Sequence, residues 1–201
     1  MLGDMTQPTQ ARATRTRAVL LATARELFTD PGYDEVSQER LVAAAGLTRG
    51  ALYHHFKDKR DLFRGVLEEL ETELTAELEE VLGGGPDFLS ATIAGLQAFL
   101  DVCQQRPAFR QIVVLDGPRV LGWSAFREIE ERFSLGMLER HYERAVAEGL
   151  TLVAPVDVLA RMALAASIEA GLVLGDAADP GQARADVEAS LVAMFAATVG
   201  A

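Results

Sequence analysis

Cysteine is almost absent: Cys103 is the only one in 201 residues. That excludes an internal disulfide framework and a cysteine-rich zinc site. Three histidines add little material for a transition-metal centre, and no metal site is expected. Lysine is nearly as scarce, with Lys57 and Lys59 alone. Long hydrophobic runs are missing too. The longest nearly apolar stretch, Met162 to Gly175, has 14 residues and carries Glu169, whereas a transmembrane helix needs roughly 20. Met1 to Gln10 is polar and lacks the apolar core of a secretory signal. The expectation is a cytoplasmic protein without a membrane span. No nucleophile elbow, P-loop, dinucleotide-binding glycine pattern or HExxH occurs, so no catalytic residue and no cofactor is expected. Asp116-Gly117-Pro118 reads as a turn.

Apolar residues make up 49% of the chain and charged residues 24%, enough for a buried core. The net charge of −11 is unfavourable for contact with a polyanion, but it is unevenly spread. Residues 1–65 hold ten basic and eight acidic side chains, a net of +2, and residues 66–201 carry −13. Only the first third of the chain is suited to meet a polyanion.

Apolar spacing predicts an all-α protein of nine helices and no strands. Residues 1–13 show no apolar period and read as a flexible arm. A first helix begins near Thr16, with Leu20, Ala24, Leu27 and Phe28 on one face, and Asp30-Pro31-Gly32 ends it. Ser37 caps a second helix, whose inner face is Leu41, Val42 and Ala45. Gly46 breaks the chain, and Thr48 caps a third helix with Leu52 and Phe56 inside. Asp58 caps a fourth helix to about Leu82, in which Glu68 to Glu80 reads as a solvated face. Beyond the glycine triplet at 83–85, helices are expected over 88–103, from Pro107 to near Gly117-Pro118, over 123–148, from Pro155 to about Gly175, and from Asp179-Pro180 onward.

The informative stretch is SQERLVAAAGLTRGALYHHFKDK, Ser37 to Lys59. Two short helices joined by a tight turn at Ala45-Gly46-Leu47 make a helix-turn-helix. The outer face of the second helix holds Arg49, Gly50, Tyr53 and His54: donors, a phenol and a position without a side chain. That set suits a helix whose N-terminal end enters a DNA major groove.

LFTDPGYDEVS followed by AGLTRGALYHHFKDKRDLF resembles the DNA-binding domain of TetR-type transcriptional repressors. The resemblance is close over Arg15 to Leu67 and thereafter rests on helix count and order. Val42 departs from it, standing where the family usually has alanine. The resemblance implies a helix-turn-helix DNA-binding domain over 14–65 and an effector-binding and dimerisation domain over 66–201. It implies a homodimer formed through the last two helices, with Leu191 and Phe195 in an apolar seam. It further implies a palindromic double-stranded operator, released when an unknown small, mainly apolar effector binds. By the same resemblance Thr48, Tyr53 and Lys59 contact phosphate, Lys57 adds to them, and Ser37 and Gln38 contact phosphate or bases. Arg49 and His54 face bases, and Gly50 permits close backbone approach. Glu39 beside phosphate needs a partner, for which Arg40 is available.

Alternatives stay open at several positions. Phe56 is a core aromatic, whereas Tyr53 is either a phosphate contact or core. His55 is either a hydrogen-bonding residue under the turn or a base reader. Arg15 and Arg17 either reach a groove or are solvated. The effector pocket is expected among helices from Phe88 to Glu148, with Phe99, Trp123, Phe133, Met137 and His141 as candidate lining. Trp123 is otherwise a packing anchor, and His141 a surface or pocket-wall residue. Glu169 either contacts a ligand or pairs with an arginine. An effector-independent DNA-binding regulator, an activator, and an all-helical enzyme are the rival readings.

Overall fold

The computed structural model describes residues 6–200, and the chain divides into two compact units between Glu69 and Leu70. The helices are α1 (Thr6–Leu27), α2 (Gln38–Ala44), α3 (Arg49–His55), α4 (Lys59–Gly84), α5 (Phe88–Gln105), α6 (Gly117–Leu121), α7 (Trp123–Glu130), α8 (Gly136–Ala147), α9 (Val156–Asp176) and α10 (Pro180–Ala196). A π-helical stretch, Phe109–Asp116, runs into α6, and another, Glu131–Leu135, joins α7 to α8. Counted as continuous rods, the described residues form nine helices. The expected absence of strands is corrected by one antiparallel pair, β1 (Thr151–Leu152) with β2 (Val199–Gly200).

In the first unit α1 begins ten residues before the expected start, at Thr6, so the arm expected over 1–13 is helical from there; residues 1–5 lie outside the described residues. Residues 10–12, 14 and 15 are exposed, so no apolar stripe announces this part of the helix. Thr14 and Thr16 donate their hydroxyls to the carbonyls of Gln10 and Arg12, each at 3.0 Å. The core gathers Leu20, Leu21, Ala24, Phe28, Leu41, Leu52 and Phe56 with Leu62, Phe63 and Val66 of α4. Phe28, Tyr33 and Phe63 form an aromatic cluster with centroids 5.1–5.5 Å apart.

The turn between α2 and α3 is a Schellman cap. The Leu47 amide donates to the Val42 carbonyl at 2.9 Å and the Gly46 amide to Ala43 at 3.1 Å. Closing it places Gly46 at φ +64°, a conformation that suits glycine. Ser37 Oγ accepts from the Arg40 amide and Thr48 Oγ1 from the Ala51 amide, so both helices of the pair start on the expected caps.

In the second unit α9 packs against α5, α8, α10 and the Phe109–Asp116 stretch. By length and composition its segment Val156–Gly175 could cross a membrane, which the 14-residue apolar run does not suggest; its packing partners make it a core helix of this unit. Arg144 clamps the α4–α5 loop, donating to the carbonyls of Leu82 (2.6 Å) and Gly85 (2.9 Å). A Cβ on Gly85 would lie 2.7 Å from Ala91, so this loop closes only on glycine. Pro118 falls in the first turn of α6 and does not end the helix; the break comes at Gly122, φ +73°. Phe195 is buried against an apolar cavity inside this unit instead of facing outward, while Leu191, also buried, lies at the floor of an open groove between α9 and α10. The outer side of α9 and α10 shows Met162, Val173 and Met194.

Candidate functional site

Arg49, Gly50, Tyr53 and His54 are exposed together on α3, with Thr48 at its start. Tyr53 is 46% exposed, which removes it from the core, while Phe56 at 4% is in it. The Tyr53 hydroxyl donates to Gln38 Oε1 at 2.7 Å, tying the outer face of α3 to the first residue of α2. Glu39 pairs with Arg49 (3.4 Å) and not with Arg40. Adjacent residues of a helix point about 100° apart, whereas Arg49 opens the facing helix. Hydrogen bonds from its own amide and from Ser37, with a smaller pull from Arg49, hold the Glu39 carboxyl below its ordinary range. A Cβ on Gly50 would meet only Thr48 Oγ1, at 3.9 Å, so the fold does not require glycine there. His54 stacks edge-on to half-buried His55, centroids 5.0 Å apart. Burial, then His54 and Arg17, push the His55 imidazole below its usual value.

The two lysines differ. Lys57 is exposed. Lys59 is part-buried: its ammonium donates to the carbonyls of Tyr33 (2.8 Å) and Val36 (2.9 Å) and lies 3.9 Å from the Tyr33 ring centroid. Its first duty is to hold the loop that delivers Ser37 to the start of α2.

In the second unit an apolar cavity of about 80 Å³ is lined by Leu74, Leu96, Phe99, Met137, His141 and Leu164, among others. Phe99, Met137 and His141 are thus brought together as expected from the sequence. His141 is stacked on Phe88 (4.5 Å) and lies 2.7 Å from Thr92 Oγ1. That hydroxyl donates to the Phe88 carbonyl, so the ring donates to it through Nε2. Burial, then Arg144, push the imidazole down to about 4, so it is neutral at physiological pH.

Three expected lining residues lie elsewhere. Trp123 is 61% exposed at the start of α7, beneath Arg127. Phe133 is half-buried outside the cavity, with Arg132 over its ring at 4.7 Å. Glu169 is exposed, in an open groove between α9 and α10, because it falls on the outer side of a helix whose inner side alone needs to be apolar. Sequence reasoning misses three buried acids: Asp116, which is read as part of a turn and is bonded to Arg119 and Gln111, and Glu71 and Glu130. Glu71 does not belong to the solvated face of α4. It lies four residues after Leu67 and three before Leu74, on the buried stripe, and that spacing is the signal that could find it. Cys103 is buried, and burial pushes its thiol up to about 12, which makes it inert.

Two family profiles match the chain: "Bacterial regulatory proteins, tetR family" over residues 20–66 and "Tetracyclin repressor-like, C-terminal domain" over residues 89–198. A TetR-family transcriptional regulator from Pectobacterium atrosepticum has a similar solved structure, with a TM-score of 0.83 and 29% identity over 95% of this chain and 97% of that one. The HTH-type transcriptional regulator AcrR of Shigella flexneri is 40% identical over 85 residues, 41% of this chain and only 40% of AcrR. The nucleoid occlusion factor SlmA of Alteromonas mediterranea is 26% identical over 160 residues, 77% of this chain and 80% of SlmA.

Proposed function

The chain belongs to the TetR family of DNA-binding transcriptional regulators, and we propose that it is a homodimeric cytoplasmic repressor whose α3 reads a palindromic operator and whose cavity takes the releasing effector. The observation that carries the DNA reading is the exposed face of α3, presented on a capped start and fixed to α2 through Tyr53 and Gln38. In this reading Thr48, Tyr53, Lys57 and Lys59 set the register on phosphate, and Ser37 and Gln38 contact phosphate or bases. Arg49 and His54 face base edges, where arginine can bond bidentately to guanine. Gly50 brings the backbone close. Glu39 gives up Arg49 as the helix enters the groove. A two-fold dimer requires two related half-sites.

The test separates reading from positioning. Arg49→Ala should cost about 1–3 kcal/mol and relax preference at one base pair in each half-site. Tyr53→Phe loses the hydroxyl bond to Gln38 and should weaken all sequences about equally. Competition binding against single-base operator variants measures both. An Arg49→Ala profile identical to the wild type would remove Arg49 from the base-reading role.

A second reading draws on the match to SlmA, which spans more of the chain than the match to AcrR. It keeps the DNA-binding face and assigns the bound sites a role other than repression of a neighbouring gene. Mapping bound sites across the chromosome separates the two, since a repressor occupies few sites and those lie at promoters.

A further inference from the structure

Glu71 of α4 and Glu130 of α7 are each 3% exposed. With Ser134 they line a chamber of about 40 Å³ that shares Leu74, Phe99, Ser134, Leu164 and Ser167 with the larger cavity. Ser134 Oγ donates to Glu71 Oε2 at 2.8 Å. Glu130 Oε2 is buried and has no hydrogen-bond partner among the described residues. A buried carboxylate oxygen without a donor is costly, and two carboxylates side by side raise the cost. Among the described residues, the lining from α5, α9 and the Phe109–Asp116 stretch carries no titratable side chain. The other charges acting on Glu130 are Arg127 and Glu131, and Arg127 lies over the Trp123 ring, 5.9 Å from its centroid.

We propose that this acidic pair is the recognition end of the cavity and that the effector is a small protonated amine with a compact apolar body. Its ammonium donates to Glu130 Oε2 and to Glu71, and its body lies among Leu74, Leu96, Phe99 and Leu164. This rests on the cavity being the effector site and names the class of ligand. The two chambers are well below the roughly 300–1,000 Å³ of drug-sized sites, which limits the body to a few carbons. A neutral ligand gives no counter-charge to whichever acid is ionised, and an anion repels it.

A pH signature follows. Burial pushes Glu71 up to about 7 against the pull of Ser134, and burial followed by the charge of Glu71 pushes Glu130 up to about 7. The empty pair therefore holds protons near neutral pH. A bound cation favours the ionised forms, so binding expels protons and the affinity rises from pH 6 to pH 8. The same shifts act on folding. A carboxyl raised in the folded state stabilises it below the unfolded value and loses that contribution as pH rises through about 7.

Calorimetric titration of the full chain with isopentylamine, isopentanol and isocaproate tests the proposal. The amine should bind at least about tenfold tighter than the alcohol at pH 8, with a smaller margin at pH 6, and isocaproate should bind more weakly than either. Glu130→Gln should weaken the amine about tenfold and leave isopentanol within about twofold, the alcohol reporting that the cavity is still folded. Without ligand, Glu130→Gln should raise the melting temperature at pH 8 more than at pH 5. Equal binding of amine and alcohol, or an amine affinity unchanged in Glu130→Gln, overturns the cationic class while alcohol binding upholds the cavity as a ligand site. Binding of none of the three overturns both.

Discussion

Lys59→Met should lower operator affinity about a hundredfold and reduce the melting temperature of the full chain, while Lys57→Ala should cost only a few-fold. The asymmetry comes from what each side chain does before DNA arrives. The Lys59 ammonium bonds two backbone carbonyls, of Tyr33 and Val36, and stacks on the Tyr33 ring. A hydrogen bond to a charged group is worth about 1.5–3 kcal/mol, so removing the ammonium releases the loop in front of Ser37 and loosens α2 and the α3 it supports. Methionine keeps most of the apolar stem, which confines the loss to the charge and its hydrogen bonds. Lys57 is exposed, and its removal should reduce the salt slope of binding by about one phosphate contact without moving the melting temperature. Fluorescence anisotropy across a salt series, paired with thermal melts, reads both. Equal losses for the two lysines would contradict the structural role of Lys59.

The second large effect concerns assembly. Met194 is 52% exposed and lines the open groove between α9 and α10 with Val173, Ala166 and Ala170. We place the dimer seam there. Met194→Asp should leave each protomer folded, since the side chain faces outward, but it should put a charge in the seam at a cost of several kcal/mol unless neutralised. Sedimentation at micromolar concentration should show a dimer for the wild type and a monomer for the variant. Operator affinity should fall about 100-fold or more as the two half-sites cease to be bound as one. Phe195 is a poor place for this test, because it lines the cavity inside the protomer, and Leu191, though it lies at the floor of the groove, is only 4% exposed, so a charge there also disturbs the protomer's own packing. A dimeric Met194→Asp variant would move the seam elsewhere.

What is legible in the sequence has local causes. Ser37 and Thr48 cap their helices because a hydroxyl before an apolar run has one obvious use, and Gly46 turns the chain because the cap demands positive φ. Leu52 and Phe56 are inside because a four-residue step keeps them on one face. What is not legible depends on tertiary placement. Glu71 and Glu169 are mirror errors: an acid among acids lies on the buried stripe, and an acid among apolar residues lies on the open side. Trp123 looks like an anchor by its size and is exposed. The partner of Glu39 is set by how α2 meets α3, which residue spacing within α2 does not contain. The helical segment before Thr14 escapes notice because its sequence has no apolar period to detect.

The most direct test of the central claim, that α3 reads DNA sequence, is selection of bound fragments from random duplex DNA by the full chain, alongside Arg49→Ala and Gly50→Asp. The wild type should enrich one two-fold symmetric site with half-sites about 10 base pairs apart or a multiple of that spacing. Arg49→Ala should enrich the same site with one base pair per half relaxed. Gly50→Asp, for whose Cβ the fold has room, should bind nothing, because on the proposed reading a carboxylate then stands where the backbone approaches DNA. Enrichment of no sequence by the wild type, or of the same site by Gly50→Asp, would contradict the account.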